Sequence, residues 1–228
     1  MEDNIKNQNL LRILKLKLCT TPAKKYTDIE NIDISNKNLM GNNLDIDLTE
    51  IIKLSNLKTV SLKFFKITDD VIDSINKLEK LYKIEFYMCE FKTKRTLNKK
   101  IIDITIYCCK DFSKEILDKS TNIEKLELTN SGLVDMNDLQ IFKDLKLIKI
   151  RDCSLISLPK ISSLDKLEYI YLNNLDIQYD FDISKMNNLK LISLNGSKFI
   201  NKESYIQNLK EIKPNLVIED RDDDLPIE

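Results

Sequence analysis

A six-residue pattern, L-x-x-L-x-L, recurs along most of this chain and limits what it can fold into. With Leu, Ile and similar apolar residues interchangeable, it begins at Ile29, Leu57, Leu81, Ile101, Ile123, Leu145, Leu167 and Leu189. Subtracting successive starts gives intervals of 28, 24, 20, 22, 22, 22 and 22 residues. Four consecutive intervals of 22 are not expected by chance. The chain is therefore an array of similar repeats.

The spacing of the apolar residues predicts the structure of one repeat. Positions four and six are two residues apart, so both side chains lie on one face of a short strand and the intervening residues point outward. Between strands the spacing changes to three, which suits a 3-10-like or short helical return. Two runs show this spacing: Leu133, Met136, Leu139, Phe142 and Leu145, then Leu155, Leu158, Ile161, Leu164 and Leu167. Because one repeat cannot bury its apolar face alone, the repeats must stack.

Period, strand pattern and return pattern together resemble the leucine-rich-repeat family over Ile29 to Asp220. The resemblance implies an α/β fold: a leucine-rich-repeat solenoid, a curved right-handed coil with a parallel β-sheet on its concave face and short helical or 3-10 segments on its convex face. We expect an N-terminal cap at 1–28, about eight repeats at 29–200, a C-terminal cap at 201–220 and a short acidic tail at 221–228. The 22-residue period also resembles bacterial internalin-type arrays.

Position nine of each repeat is normally Asn or Cys in this family. Here it is occupied by Lys37, Phe65, Cys89, Cys109, Ser131, Cys153, Leu175 and Ser197. Without an asparagine ladder, we expect turns that are looser and less regular than the consensus. The cysteines at position nine are expected to be buried, inert small hydrophobes. A redox or metal role for the pair Cys108-Cys109 is not favoured, because neighbours on a strand face opposite ways and no C-x-x-C spacing occurs.

The two ends of the array need caps over the last apolar layers. Between Ile5 and Ala23, Leu10, Leu11, Leu14 and Leu18 fit a helix, whereas Leu14, Leu16 and Leu18 alternate like a strand, and both alternatives stay open. Near the C-terminus, Ile206, Leu209 and Ile212 predict a helix that Pro214 ends, followed by a short strand with Leu216 and Ile218.

The C-terminal segment resembles the cap of the acidic nuclear phosphoproteins, the spliceosomal A-prime subunit and the repeat subunit that regulates protein phosphatase 1. Tyr205, Pro214, Leu216 and Asp220 match the Tyr, Pro, Leu and Asp of that cap. This resemblance implies an intracellular interaction protein.

Composition argues against an enzyme. The 228 residues contain no His, so Ser-His-Asp and Cys-His nucleophile pairs and His-containing metal sites are excluded. Only three Gly are present, and no G-x-G-x-x-G or P-loop string occurs. We therefore expect no catalytic residues, no cofactor and no metal.

Binding residues are expected in the columns formed by positions three, five and seven, which face outward from the strands. Tyr87 and Tyr107 are lateral neighbours in one column, while Tyr169 and Tyr171 lie beside Lys149 and Arg151. Tyr and Arg are the residues most enriched at binding hot spots, so these six are our predicted partner-binding residues. The alternative is that aromatic residues simply favour strands.

The predicted function is a non-catalytic protein–protein interaction scaffold that binds a protein or peptide on its concave face. The alternatives are a regulatory subunit of an enzyme such as a phosphatase, or a nucleic-acid-associated adaptor. The basic run Phe91–Lys100 could meet phosphate, but such runs are more often solvated loops, and the net charge of -1 gives no steering toward nucleic acid. Nucleic acid is therefore not an expected partner.

No apolar run approaches the length of a membrane-spanning helix, so membrane insertion is not expected. The N-terminus has no signal-peptide pattern, and the five cysteines favour a reducing compartment. We expect an intracellular monomer, cytoplasmic or nuclear. Secretion would require a signal peptide that is missing from this chain.

Overall fold

Each L-x-x-L-x-L segment forms a short strand that pairs in parallel with the strand of the next repeat. The computed structural model describes residues 5–37, 41, 43–131, 133–157, 163–177, 182–199 and 201–221. The chain divides into two units, Met1–Ser120 and Thr121–Glu228.

The first unit contains four parallel repeat strands: Asn31–Ser35, Thr59–Lys63, Lys83–Tyr87 and Asp103–Tyr107. Their register joins equal positions of successive repeats, so that position four runs through Ile32, Val60, Ile84 and Ile104. The irregular intervals of 28, 24 and 20 residues therefore leave the strand alignment unchanged.

The second unit contains five parallel strands: Lys125–Thr129, Leu147–Arg151, Tyr169–Asn173, Leu191–Ser193 and Val217–Glu219. The first four belong to the 22-residue repeats and keep equal positions in register. The fifth strand follows the C-terminal helix and pairs with the fourth, with Val217 opposite Leu191.

The centre of the core is formed by the side chains at positions four and six of the eight repeat strands. These residues are at most 4% exposed, and the residues between them are partly covered or exposed except for Ser193, which is buried. Burying one such Ile, Leu or Phe side chain stabilises the folded state by about 1.5–3 kcal/mol. A shift of the pairing by one residue would move these side chains to the outward face, so the alternation selects the register.

The returns between strands are short helices and small secondary strands. Among the described returns, Leu48–Lys53, Lys114–Leu117 and Met136–Ile141 are 3-10 helices, and one return is the α-helix α2 at Asp69–Lys77. A further 3-10 helix, Tyr26–Asp28, precedes the first strand. Three short parallel pairs follow the turns: Lys66–Thr68 with Glu90–Lys92, Leu133–Asp135 with Ser154–Ser157, and Asp176–Ile177 with Lys198–Phe199. The predicted return in the repeat of Leu133 is confirmed. Part of the next, at 158–162, lies outside the described residues.

The turns after the strands of the second to eighth repeats are regular, and for these repeats the expectation of looser turns is wrong. Position eight has a left-handed backbone with φ between 45° and 65° at Phe64, Met88, Cys108, Asn130, Asp152, Asn174 and Gly196. At position nine, buried thiols replace the asparagine ladder: the Sγ atoms of Cys89 and Cys109 donate to the carbonyls of Leu62 and Phe86 one repeat earlier, both at 3.4 Å. Cys153 is buried in the same way. These hydrogen bonds tie the turn to the preceding repeat, which is the role of the asparagine at position nine in the consensus repeat.

The N-terminal segment, for which helix and strand were both open, is the helix α1 at Gln8–Thr20. Asn7 caps it by accepting a hydrogen bond from the Leu10 N–H at 2.9 Å, and Leu10 and Leu14 are fully buried. The Glu50 carboxylate accepts from the N–H groups of Lys6 and Asn7 and ties this helix to the first repeats.

The C-terminal helix α3 spans Lys202–Ile212 and ends before Pro214, as predicted. Its residues Tyr205 and Leu209 are buried, and Lys202 forms an ion pair with Asp220. The resemblance of this segment to one particular family of caps stays a prediction.

Candidate interaction surface

The six predicted binding residues lie on the outward face of the repeat strands, in two clusters. Tyr87 and Tyr107 form the cluster of the first unit, at position seven of neighbouring strands. Lys149, Arg151, Tyr169 and Tyr171 form the cluster of the second unit, on two neighbouring strands.

In the first unit the two tyrosine rings contact each other. Their centroids are 5.7 Å apart with the planes tilted by 41°, and Tyr107 is 38% exposed. The Lys63 ammonium lies 5.5 Å from the centroid of the Tyr87 ring and 2.8 Å from the Asp33 carboxylate. These contacts orient Tyr87 and leave one side of the pair open to solvent.

In the second unit, strand register places Tyr171 opposite Lys149 and Tyr169 opposite Leu147. The Lys149 ammonium is 3.8 Å from the Glu127 carboxylate, and the Arg151 Nε atom is 3.4 Å from Asp152. Both ion pairs are partly exposed, so they contribute little to stability and can exchange for contacts with a partner.

Burial and the negative charge of Glu219 raise the pKa of Tyr171 above its ordinary value of 10.0. In the part of the chain that the structure describes, the hydroxyl groups of Tyr169 and Tyr171 make no hydrogen bond with protein atoms. Each ring therefore presents apolar area with an available donor, which is the chemistry of a binding hot spot.

An apolar row crosses the outward face of the second unit, and the sequence analysis did not predict its full extent. Position three runs through Leu147, Tyr169 and Leu191, and the strand register continues this row to Val217, which is 53% exposed. The sequence did carry a signal for Val217. Leu216 and Ile218 are apolar residues two positions apart in a strand, so the residue between them points outward.

The basic run Phe91–Lys100 is partly neutralised by its neighbours. The Lys92 ammonium lies 3.1 Å from Glu90 and 2.5 Å from Asp111, and Arg95 lies 3.6 Å from Asp73. Asp69 further accepts hydrogen bonds from the Thr93 hydroxyl at 2.6 Å and the Lys94 N–H at 3.0 Å. Two cations of the run, Lys92 and Arg95, are therefore paired with carboxylates, and Asp69 holds the backbone of the segment.

Five free cysteines are present, and Cys19 alone is exposed. Cys108 does not end a strand: it lies at the left-handed position of its turn. Contact with Cys109 and burial raise the pKa of Cys89, and burial raises that of Cys153. Within the described ranges no helix is long and apolar enough to cross a bilayer.

No protein-family model and no curated protein matches the chain by sequence. Solved structures do match. An internalin (inlF) of Listeria monocytogenes is 18% identical, with the match covering 89% of this chain and 56% of the internalin at a TM-score of 0.60. Internalin C2 (inlC2) of the same species is also 18% identical, covering 94% of this chain and 93% of that one at a TM-score of 0.62.

These similarities, together with the parallel repeat strands, show that the chain has the leucine-rich-repeat fold. The resemblance inferred from the repeat pattern is confirmed at the level of the α/β leucine-rich-repeat fold class. The chain spans 56% of the length of the first of these internalins.

Proposed function

We propose that this protein is a non-catalytic protein-interaction module that binds a protein or peptide partner on the outward face of its repeat strands. In the leucine-rich-repeat architecture this face is the concave one. The binding residues are Tyr87 and Tyr107 in the first unit and Lys149, Arg151, Tyr169 and Tyr171 in the second.

The observation that carries this proposal is the composition of the second unit's face. The apolar row of Leu147, Tyr169, Leu191 and Val217 lies beside Lys149 and Tyr171 on the same strands. A row of four neighbouring strands spans roughly 14 Å at about 4.8 Å per strand, which suits the apolar face of a peptide or a small protein surface. Charged side chains beside it provide the polar rim that protein interfaces use.

Fold similarity to the internalins supports an interaction role because repeat proteins commonly bind through their extended strand face. The basic segment gives no specific support to the nucleic-acid alternative, since two of its cations are paired with neighbouring carboxylates.

A comparison of variants tests the proposal. We expect the triple variant Tyr107→Ala, Arg151→Ala, Tyr171→Ala to lose partners that the wild-type chain captures from a native lysate. A control variant, Lys210→Ala with Ile212→Ala, changes exposed residues of α3 and should retain them.

Circular dichroism and urea unfolding must first show that all three chains fold. Captured partners are identified by mass spectrometry, and their direct binding is then measured with purified proteins. If the triple variant binds a purified partner as tightly as the wild type, the strand face is not the binding site.

A further inference from the structure

Position eight has the same backbone conformation in both units but very different side chains. In the second unit it is occupied by Asn130, Asp152, Asn174 and Gly196, the residue types that best tolerate a left-handed backbone. In the first unit the same conformation is adopted by Phe64, Met88 and Cys108, with φ of 62°, 51° and 51°.

The backbone N–H at position eight forms the same hydrogen bond in both units. The N–H of Met88 donates to the carbonyl of Tyr107 in the next repeat at 2.8 Å, and the N–H of Asn130 donates to that of Arg151 at 3.0 Å. The hydrogen bond does not depend on the side chain. A bulky residue at this position is therefore strained without any gain for the turn.

Burial explains these residues only in part. Met88 is 50% exposed and neighbours Tyr107, which is 38% exposed, whereas Phe64 and Cys108 are half-buried. Strained apolar side chains that stay open to solvent are retained where a binding surface uses them. Methionine suits such a surface because its flexible, polarisable side chain adapts to different apolar groups.

Lysines flank this apolar row, with Glu90 between Lys66 and Lys110 in the strand register. The Lys37 ammonium lies 4.8 Å from the centroid of the Phe64 ring. Lys66 and Lys110 stand two residues beyond Phe64 and Cys108, and both are exposed. Among the residues that the structure describes, neither lysine forms an ion pair, whereas the acidic neighbours Glu90 and Asp111 are both engaged by Lys92.

We propose that Phe64, Met88, Cys108 and Tyr107 form a docking surface for an acidic segment of a partner protein that carries exposed aliphatic or aromatic side chains. The apolar side chains of the segment pack on this row, and its carboxylates meet Lys66 and Lys110. This inference rests on the proposed interaction function and specifies the partner chemistry for the first unit.

The test selects random twelve-residue peptides displayed on phage against the immobilised full chain. We expect the enriched peptides to combine Leu, Ile or Phe with an excess of Asp and Glu. The two most enriched sequences are synthesised with a fluorescent label, and their affinities are measured by fluorescence polarisation.

Four variants locate the binding. Phe64→Asn with Met88→Asn removes Phe64 and Met88 from the apolar row while relieving their backbone, and circular dichroism checks that this chain folds. We expect it to lower affinity at least tenfold. Lys66→Glu with Lys110→Glu should lower affinity at least fivefold, with a weaker dependence on salt. Tyr171→Ala tests the strand face of the second unit as the competing site. The control, Lys210→Ala with Ile212→Ala at exposed residues of α3, should leave affinity within twofold.

Several outcomes overturn the proposal: no enriched peptide, enriched peptides without an acidic excess, or affinity that the asparagine variant leaves within twofold. If Tyr171→Ala abolishes binding and the asparagine variant does not, this docking surface is wrong while the proposed interaction function survives. If none of the variants changes binding, the docking surface is wrong and Tyr171 does not contribute to the site.

Discussion

The hydroxyl of Ser197 donates a hydrogen bond of 2.6 Å to the backbone carbonyl of Leu172, one repeat earlier in the chain. The same oxygen accepts the N–H of Leu175 at 3.0 Å, and Ser197 is only 3% exposed. One small side chain thus satisfies two buried backbone groups. Buried thiols form the equivalent donor bond in other repeats, as Cys89 does to Leu62.

Replacing Ser197 tests this role. We expect Ser197→Ala to lower the free energy of unfolding by about 1–3 kcal/mol, because the buried groups of Leu172 and Leu175 lose their partner. Ser197→Cys should recover part of this loss, since a thiol serves as the donor elsewhere in the array. Urea unfolding measures both, and Ser184→Ala, at an exposed hydroxyl, is the control with little effect. Equal loss in the alanine and cysteine variants would contradict the interpretation.

Met88 provides a test of backbone strain. We expect Met88→Asn to raise the free energy of unfolding by about 1 kcal/mol, because asparagine tolerates a left-handed backbone better than methionine. Met88→Leu keeps a bulky side chain and should have almost no effect. The measurement is urea unfolding of the three chains under identical conditions. A destabilised asparagine variant would show that the methionine side chain contributes packing at this turn.

Glu50 links α1 to the first repeats, and its pKa makes that link sensitive to pH. Burial alone would raise the pKa, but hydrogen bonds from the Asn7 N–H, the Lys53 ammonium and the Lys6 N–H lower it below the ordinary 4.5. A carboxyl group whose pKa is lower in the folded state stabilises the fold above its unfolded pKa. It loses that contribution as the pH falls through the folded pKa.

We therefore expect Glu50→Gln to lose about 1–3 kcal/mol at pH 7, through weaker hydrogen bonds to a buried acceptor. The difference from the wild type should begin to shrink as the pH falls below 4.5, where the carboxyl group of the unfolded chain takes up a proton. It should disappear once the pH is below the lower pKa of the folded state, where the folded carboxyl group is protonated too. Urea unfolding at neutral and acidic pH measures this. Glu79→Gln, at an exposed position, is the matched control. A difference that stays constant with pH would argue against the ionised form of Glu50.

The thiols should react at very different rates. Cys19 is exposed and Cys108 is half-buried, whereas Cys89, Cys109 and Cys153 are buried. We expect Cys19 to react first with an aromatic disulfide reagent, Cys108 more slowly, and the three buried thiols only when the chain opens. Mass spectrometry after timed labelling assigns each site. Fast labelling of Cys153, whose pKa is raised by burial, would contradict the structure.

The repeat register was predictable because it rests on side-chain volume and period. Ile148 and Ile150 lie inward and Lys149 outward whatever the returns between the strands do. The N-terminal helix was not predictable from apolar spacing alone, since Leu14, Leu16 and Leu18 also fit a strand. The helix forms because Asn7 caps it, and Leu16, at 66% exposure, is left in solvent.

The left-handed turn could not be predicted from residue type. Phe64 and Gly196 adopt nearly the same φ, 62° and 65°, although glycine signals such a turn and phenylalanine does not. Here the pairing of neighbouring repeats overrides local preference. The tyrosines of the candidate site could be predicted from the repeat pattern. Val217 could be assigned to it only once the structure showed that the strand after α3 joins the sheet.

The uniform 22-residue spacing of the second unit has a consequence for changes in chain length. Since Tyr169 pairs with both Leu147 and Leu191 at the same position, removing the 22 residues from Leu145 to Lys166 would bring Leu126 opposite Ile170 and re-form an equivalent ladder. A deletion that is not a whole number of repeats would shift inward residues outward or break the turn. Insertions and deletions here are tolerated in whole repeats, much as a coding sequence tolerates them in whole codons, so the area of the strand face can grow or shrink in fixed steps.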